Sequence, residues 1–201
     1  MNKRKIVNSD WEMGGTGFIA DLDELSFLRI FDGKSPIVCF TSGGFDSIHP
    51  GHISSFLDGV AKAKAFHQEA HGLSCPPNAL LVVAVNGTAF LKAKKSIEFM
   101  DLKTRCQVVS CIEGVDFVVP FTPSDPKDMS VCEALDVIKP TYFLKGGDRD
   151  LSNIPEVEAC KRNGTHIITN CGLPKLWSSS DFLNTYYSTR REQESTHEAK
   201  S

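Results

Sequence analysis

The stretch Thr41-Ser42-Gly43-Gly44-Phe45-Asp46-Ser47-Ile48-His49-Pro50-Gly51-His52 follows the apolar run Pro36-Ile37-Val38-Cys39-Phe40, and its reading decides the fold. The apolar run has the length and composition of a buried strand. It gives way to a turn bearing two adjacent glycines, after which two histidines three positions apart open a helix. Such a junction gathers backbone N–H groups, the positive end of a helix dipole and two imidazoles around one point, a combination suited to a polyphosphate under attack. Ser42, Gly43, Gly44, Phe45 and Gly51 are expected to bring the main chain close to a nucleotide. His49 and His52 are expected to donate hydrogen bonds to phosphate oxygens as charge builds on them, and Asp46 to tether the turn or orient one of these groups.

Outward from this junction the chain alternates. Asp21 to Phe31 has helical spacing and an acidic first turn, which predicts a helix stopped at Gly33 that feeds the first strand. Residues 1–20 lack periodicity and are expected to form an N-terminal extension. After His52, the residues Ile53, Phe56, Leu57 and Val60 make a one-sided helical stripe that fades toward Gly72. Pro76-Pro77-Asn78 forms a loop. Leu80 to Val85 is an unbroken apolar run, as in a strand covered on both faces of a parallel sheet. A helix marked by Leu102, Cys106, Val109 and Ile112 leads to a strand at Val115 to Val119. A second, marked by Val131, Ala134, Leu135 and Ile138, leads to Thr141 to Leu144, and a third, opening near Pro155, leads to Thr165 to Thr169. Five strands alternating with helices predict a Rossmann-like, doubly wound parallel α/β sheet with helices on both faces, whose ligands sit at the carboxyl ends of the strands. One domain over residues 21–187 is expected, followed by a polar, disordered tail over 188–201.

The 22 basic and 25 acidic side chains leave a formal net charge of −3, so no global basic surface exists for non-specific nucleic-acid binding and phosphate recognition must be local. Seven cysteines, with no Cys-x-x-Cys pair, lie mostly in apolar segments, which predicts a reducing, cytoplasmic setting. Lys3, Arg4 and Lys5 are followed by Asn8-Ser9-Asp10 and not by an apolar segment. Nowhere is an apolar run long enough to span a bilayer, so neither secretion nor membrane insertion is expected.

Thr41 to His52 resembles the signature of the paired-histidine nucleotidyltransferases, the cytidylyltransferase-like group that includes cytidylyltransferases and the nucleotidyltransferase domain of ADP-heptose synthase. Further segments resemble that ADP-heptose synthase domain in the same order: Ala84-Val85-Asn86, Phe90-Leu91-Lys92, Arg105, Val115 to Phe121, Phe143-Leu144-Lys145-Gly146-Gly147-Asp148 and Trp177-Ser178-Ser179-Ser180-Asp181-Phe182. The resemblance covers about residues 21–187. It implies transfer of a nucleoside monophosphate, AMP from ATP, to a sugar phosphate such as heptose 1-phosphate, with release of pyrophosphate, Mg²⁺ carried on the triphosphate, and a homodimer. By the same resemblance His49 and His52 contact the triphosphate and Lys92 is the catalytic phosphate-binding lysine, with Lys94 and Lys95 beside it. Lys145, Gly146, Gly147 and Asp148 wrap base and ribose. Ser178, Ser179 and Ser180 meet the outer phosphates, while Asn86 and Arg105 are candidate phosphate or substrate contacts, Arg105 reaching from its helix either the phosphates or an adjacent acid.

Two departures shape what is expected. Acidic residues of the family after Ala84-Val85-Asn86 are replaced here by Gly87-Thr88. The arginine that cytidylyltransferases carry before the hydroxyl cluster is absent from Leu173-Pro174-Lys175, which favours ATP over CTP. Two other readings stay open: a CTP-dependent cytidylyltransferase acting on glycerol 3-phosphate or a phospho-alcohol, and a non-catalytic nucleotide-binding module. His67 and His71 have a helical spacing that zinc can use, but with no third ligand in view they are expected to be a polar helix end.

Overall fold

The computed structural model describes residues 16–31, 35–147, 152, 154–173 and 185–191. The two apolar runs become β2 (Ile37–Gly43) and β3 (Ala79–Asn86), which pair in parallel from Ile37 opposite Ala79 to Gly43 opposite Val85. Their side chains divide between two cores. Val38, Phe40, Val82 and Ala84 face one, while Ile37, Cys39, Leu81, Val83 and Val85 face the other. Burial on both faces is the reason these strands read as continuous apolar runs without a polar alternation.

The first core is closed by a 3-10 helix (Asp23–Phe31), α4 (Cys132–Ile138) and α5 (Val157–Asn163). The second is closed by α1 (Pro50–Ala70) and α3 (Leu102–Ser110). With β1 (Phe18–Ile19), β4 (Phe117–Phe121), β5 (Tyr142–Gly146) and β6 (His166–Cys171), the sheet has the order β1-β4-β3-β2-β5-β6 and every pairing is parallel. The chain winds outward from β2 through β3 to β4, then returns to the other side of β2 for β5 and β6. Strand order therefore reverses at β2, and the crevice expected to take a ligand opens beyond the carboxyl ends of β2 and β5. The doubly wound α/β fold read from the sequence is borne out.

Three features differ from that reading. β1 lies within the stretch read as an extension: Phe18 N–H donates to Asp116 O and Ala20 N–H to Val118 O, so the sheet has six strands and begins before residue 21. Two residues are too few to show a period. α2 (Thr88–Lys95) follows β3, where the sequence suggests no element; among its described side chains only Leu91 is fully buried. Residues 185–191 are helical and exposed, so the first part of the expected tail is ordered as a helix, and 192–201 lie outside the described residues.

All seven cysteines are free thiols. Burial pushes Cys39, Cys106 and Cys160 up to about 12 and Cys171 to about 11, so these four are packing groups and not nucleophiles. No described helix is long and apolar enough to cross a membrane.

Candidate nucleotide site

The turn after β2 is built by packing. A Cβ on Gly43 would lie 2.8 Å from the Phe45 ring, and one on Gly44 would run into Leu91 Cδ2. The two glycines thus make room for Phe45 and for α2. Phe45, with φ of 50° and only 3 % exposed, sets its ring edge-to-face against Phe56 and His52. Its side chain anchors the turn; only its backbone is left to approach a ligand. Asp46, itself buried, accepts from the N–H groups of Phe99 at 2.7 Å and Met100 at 3.1 Å, which makes it the tether between this turn and the segment after α2.

His49 is the N-cap of α1, in extended conformation with Pro50 next to it. Its Nδ1 accepts from Gly51 N–H at 3.2 Å, and its ring stacks on His52 with centroids 3.8 Å apart. Because Nδ1 acts as acceptor, the hydrogen of the neutral imidazole resides on Nε2, which is a donor. A Cβ on Gly51 would stand 2.9 Å from His49 Cε1, so any side chain here would press on the histidine ring. Gly51 N–H is likewise taken by His49. The sequence reading gave both of these features to a ligand.

Ser55, one turn beyond His52, connects the histidines to the end of β5. Its hydroxyl donates to His52 O at 2.8 Å, and a Cβ on Gly146 would meet Ser55 Cβ at 3.1 Å. Gly147 has φ of 72°, a left-handed conformation that favours glycine. Lys145 turns inward: its Nζ lies 3.4 Å from Glu156 Oε2 and 4.2 Å from the centre of the Phe143 ring. The other Glu156 oxygen accepts from Val131 N–H at the start of α4. Gly172 N–H donates to Asp58 and Leu173 N–H to Ser54 Oγ, so the chain leaving β6 crosses the first turns of α1. Asp148 and Ser178, Ser179 and Ser180 lie outside the described residues.

Arg105 is fully buried. Its guanidinium donates to Met100 O, to Gly44 O at 2.9 Å and Asn86 O at 2.6 Å, and pairs with Glu98 Oε1 at 2.8 Å. It therefore clamps the carboxyl ends of β2 and β3 from below, and of the two roles considered for it, the adjacent acid is the one found. The same Glu98 oxygen accepts from Thr88 Oγ1 at 2.7 Å, which links the start of α2 to the clamp. Asn86 is buried, and the structure engages its carbonyl. Lys92 is exposed on α2, next to the Leu91 that packs on Gly44, and Lys94 Nζ lies over the Phe90 ring; the Lys95 side chain lies outside the described residues. Glu98, Ser55 and Glu156 escaped the sequence reading, and Thr88 entered it only as a departure from the family pattern; no motif or period marks the partners they take.

For a divalent ion the donor set is thin. Asp46 and Glu98 spend their carboxylates on backbone N–H groups, Arg105 and Thr88, and no cluster of three or more His, Cys, Asp or Glu suited to a metal occurs among the described residues. A protein cage for magnesium does not fit these residues. His67, read as part of a polar helix end, is instead buried, with Nδ1 3.0 Å from Tyr142 Oη.

No family model matches the chain. Among curated proteins it is similar to the bifunctional protein HldE of Nitrosococcus oceani, 27% identical over 154 residues, covering 76% of this chain and 28% of that one. It is also similar to HldE of Alcanivorax borkumensis, 28% identical over 155 residues, covering 76% and 28%, and to HldE of Actinobacillus pleuropneumoniae serotype 5b, 30% identical over 158 residues, covering 78% and 29%. The chain thus spans less than a third of the length of these relatives. A solved structure, the lipopolysaccharide core biosynthesis protein from Thermoplasma volcanium GSS1, aligns with 18% identity and a TM-score of 0.47 over 68% of this chain and 98% of that one.

Proposed function

From the chain's homology with HldE proteins, which bears out its resemblance to the paired-histidine nucleotidyltransferases, we propose that it is a nucleotidyltransferase moving AMP from ATP to a sugar phosphate such as heptose 1-phosphate. An oxygen of the acceptor phosphate attacks the α-phosphorus in line. The new P–O bond forms as the bond to the bridging oxygen breaks, and pyrophosphate leaves with that electron pair. No covalent enzyme intermediate is needed. The observation that carries this reading is the stacked His49–His52 pair at the start of a 21-residue helix, where the His49 cap fixes a donor hydrogen on Nε2. Such donors match the charge that spreads over the phosphoryl oxygens in a loose transition state. Lys92 adds a positive charge from α2. Holding acceptor and triphosphate in line supplies on the order of 7 kcal/mol or more of barrier reduction. Magnesium, which neutralises triphosphate charge in such reactions, would arrive on the nucleotide with few protein ligands, and no step above depends on it.

Pyrophosphate release with ATP or CTP, against heptose 1-phosphate, other sugar 1-phosphates and glycerol 3-phosphate, tests the reading. Turnover with ATP and one sugar phosphate is expected, falling at least about 100-fold in His52→Ala while the thermal transition is preserved. A fully active His52→Ala variant would remove the role assigned to this residue. Turnover with CTP alone would move the protein to the cytidylyltransferases, and nucleotide binding without any release would make it a non-catalytic module.

A further inference from the structure

At the opposite end of the sheet, where α1, α4 and α5 all terminate, a cavity of about 320 Å³ is lined by Arg29, His67, His71, Lys139, Asn163 and His166, together with the main chain around Thr141 and Gly164. We propose that this cavity is a second binding site, for a phosphate-bearing small anion. Thr141 precedes β5 and His166 opens β6, whereas Gly146 at the other end of β5 adjoins the paired histidines. Five residues of strand, at about 3.3 Å each, set the two sites about 16 Å apart.

The lining gathers two permanent cations and three imidazoles and includes no carboxylate, on a chain whose net charge is −3. Helix carboxyl ends attract cations, and this accounts for part of the cluster: Nε and Nη2 of Arg29 donate to Val137 O and Asp136 O at the end of α4. Lys139 and His71, the C-caps of α4 and α1, obey the same rule, but it leaves their donors unused and does not place His166, which opens β6. The side chains of Lys139, His71 and His166 are exposed and donate to no described residue, and Arg29 keeps Nη1. Donors without acceptors, converging on a concavity at the lower end of the size range of ligand pockets, are what a phosphate dianion takes up. His67 forms the buried floor, its Nδ1 held by Tyr142. The site does not depend on the activity proposed above, and it would serve as an effector site and not as a place of reaction.

The test is a titration of the whole protein with inorganic phosphate and, separately, glycerol 3-phosphate, followed through the imidazole resonances of His71 and His166. Saturable shifts are expected, with affinity weakened about tenfold or more when His71→Ala and Lys139→Ala are combined, since two charge-assisted hydrogen bonds are lost. Both substitutions are at exposed helix ends, so the fold should persist. Tighter binding of glycerol 3-phosphate would identify a phosphate monoester as the occupant; tighter binding of inorganic phosphate would identify the free ion. The same shifts should survive in His52→Ala. Linear drift without saturation, equal binding by the double variant, or loss of the shifts in His52→Ala would each overturn the proposal.

Discussion

Arg105 is the residue on which the geometry of the nucleotide site turns, because one buried guanidinium holds Gly44 O, Asn86 O, Met100 O and Glu98 at once. Arg105→Ala would leave Glu98 and three carbonyls without their donor in a buried setting. A loss of about 3–5 kcal/mol in urea unfolding is expected. Arg105→Lys should recover little, since an ammonium cannot span the four acceptors as a planar fork does. The helix carrying Arg105 was legible in the sequence, and so was an acid as one of its candidate partners. The carbonyls were not, because they sit 19 and 61 residues away and are chosen by the meeting of two strand ends. The histidine pair was legible for the opposite reason: its partners Phe45, Pro50 and Gly51 are neighbours in the chain. What sequence alone missed even there is that Gly51 serves His49, a fact visible only once the ring is seen folded over the helix start.

Among the elements, α1 is the one against which the site is assembled. The turn after β2 caps it, the end of β5 packs on Ser55, and the chain leaving β6 crosses it at Gly172. That last crossing is tight: Gly172 has φ of 89°, and a Cβ there would lie 2.6 Å from Ser55 N. Backbone lies on one side and a left-handed conformation on the other, so Gly172→Ala is expected to cost about 2 kcal/mol or more in denaturant unfolding. A variant as stable as the parent would show that this crossing is loose. The long elements followed from apolar periodicity, as β2, β3 and α1 illustrate. β1 and α2 did not, since a two-residue edge strand and an eight-residue helix with one fully buried residue among its described side chains owe their existence to what they pack on, β4 in one case and the Gly44 turn in the other.

For the molecule as a whole, acid sensitivity is written into the buried end of α1. Burial lowers the pKa of His67, and the nearby charges of His71 and His166 lower it further. The unfolded chain, with histidine near its ordinary value of about 6.5, therefore binds more protons than the folded chain as pH falls past that value. Stability from this group is present above about pH 6.5 and is lost as pH drops through the lower folded value. Thermal midpoints should fall between pH 7.5 and 5.5, and the fall should be smaller in His67→Gln; an unchanged slope in that variant would assign acid sensitivity elsewhere. The alternation of strands and helices, too, follows from apolar patterning, whereas the strand order, with the return of the chain across β2, is a property of the completed sheet, which no local stretch encodes. That return has a consequence during synthesis. β2 pairs with β3 early, but its other edge waits for β5, whose contact with it lies 103 residues further on. At ribosomal rates of about 5–20 residues per second, Ile37 to Phe40 would stand with one edge open for roughly 5 to 20 s, the period in which a nascent chain already carrying both histidines most needs a chaperone's cover.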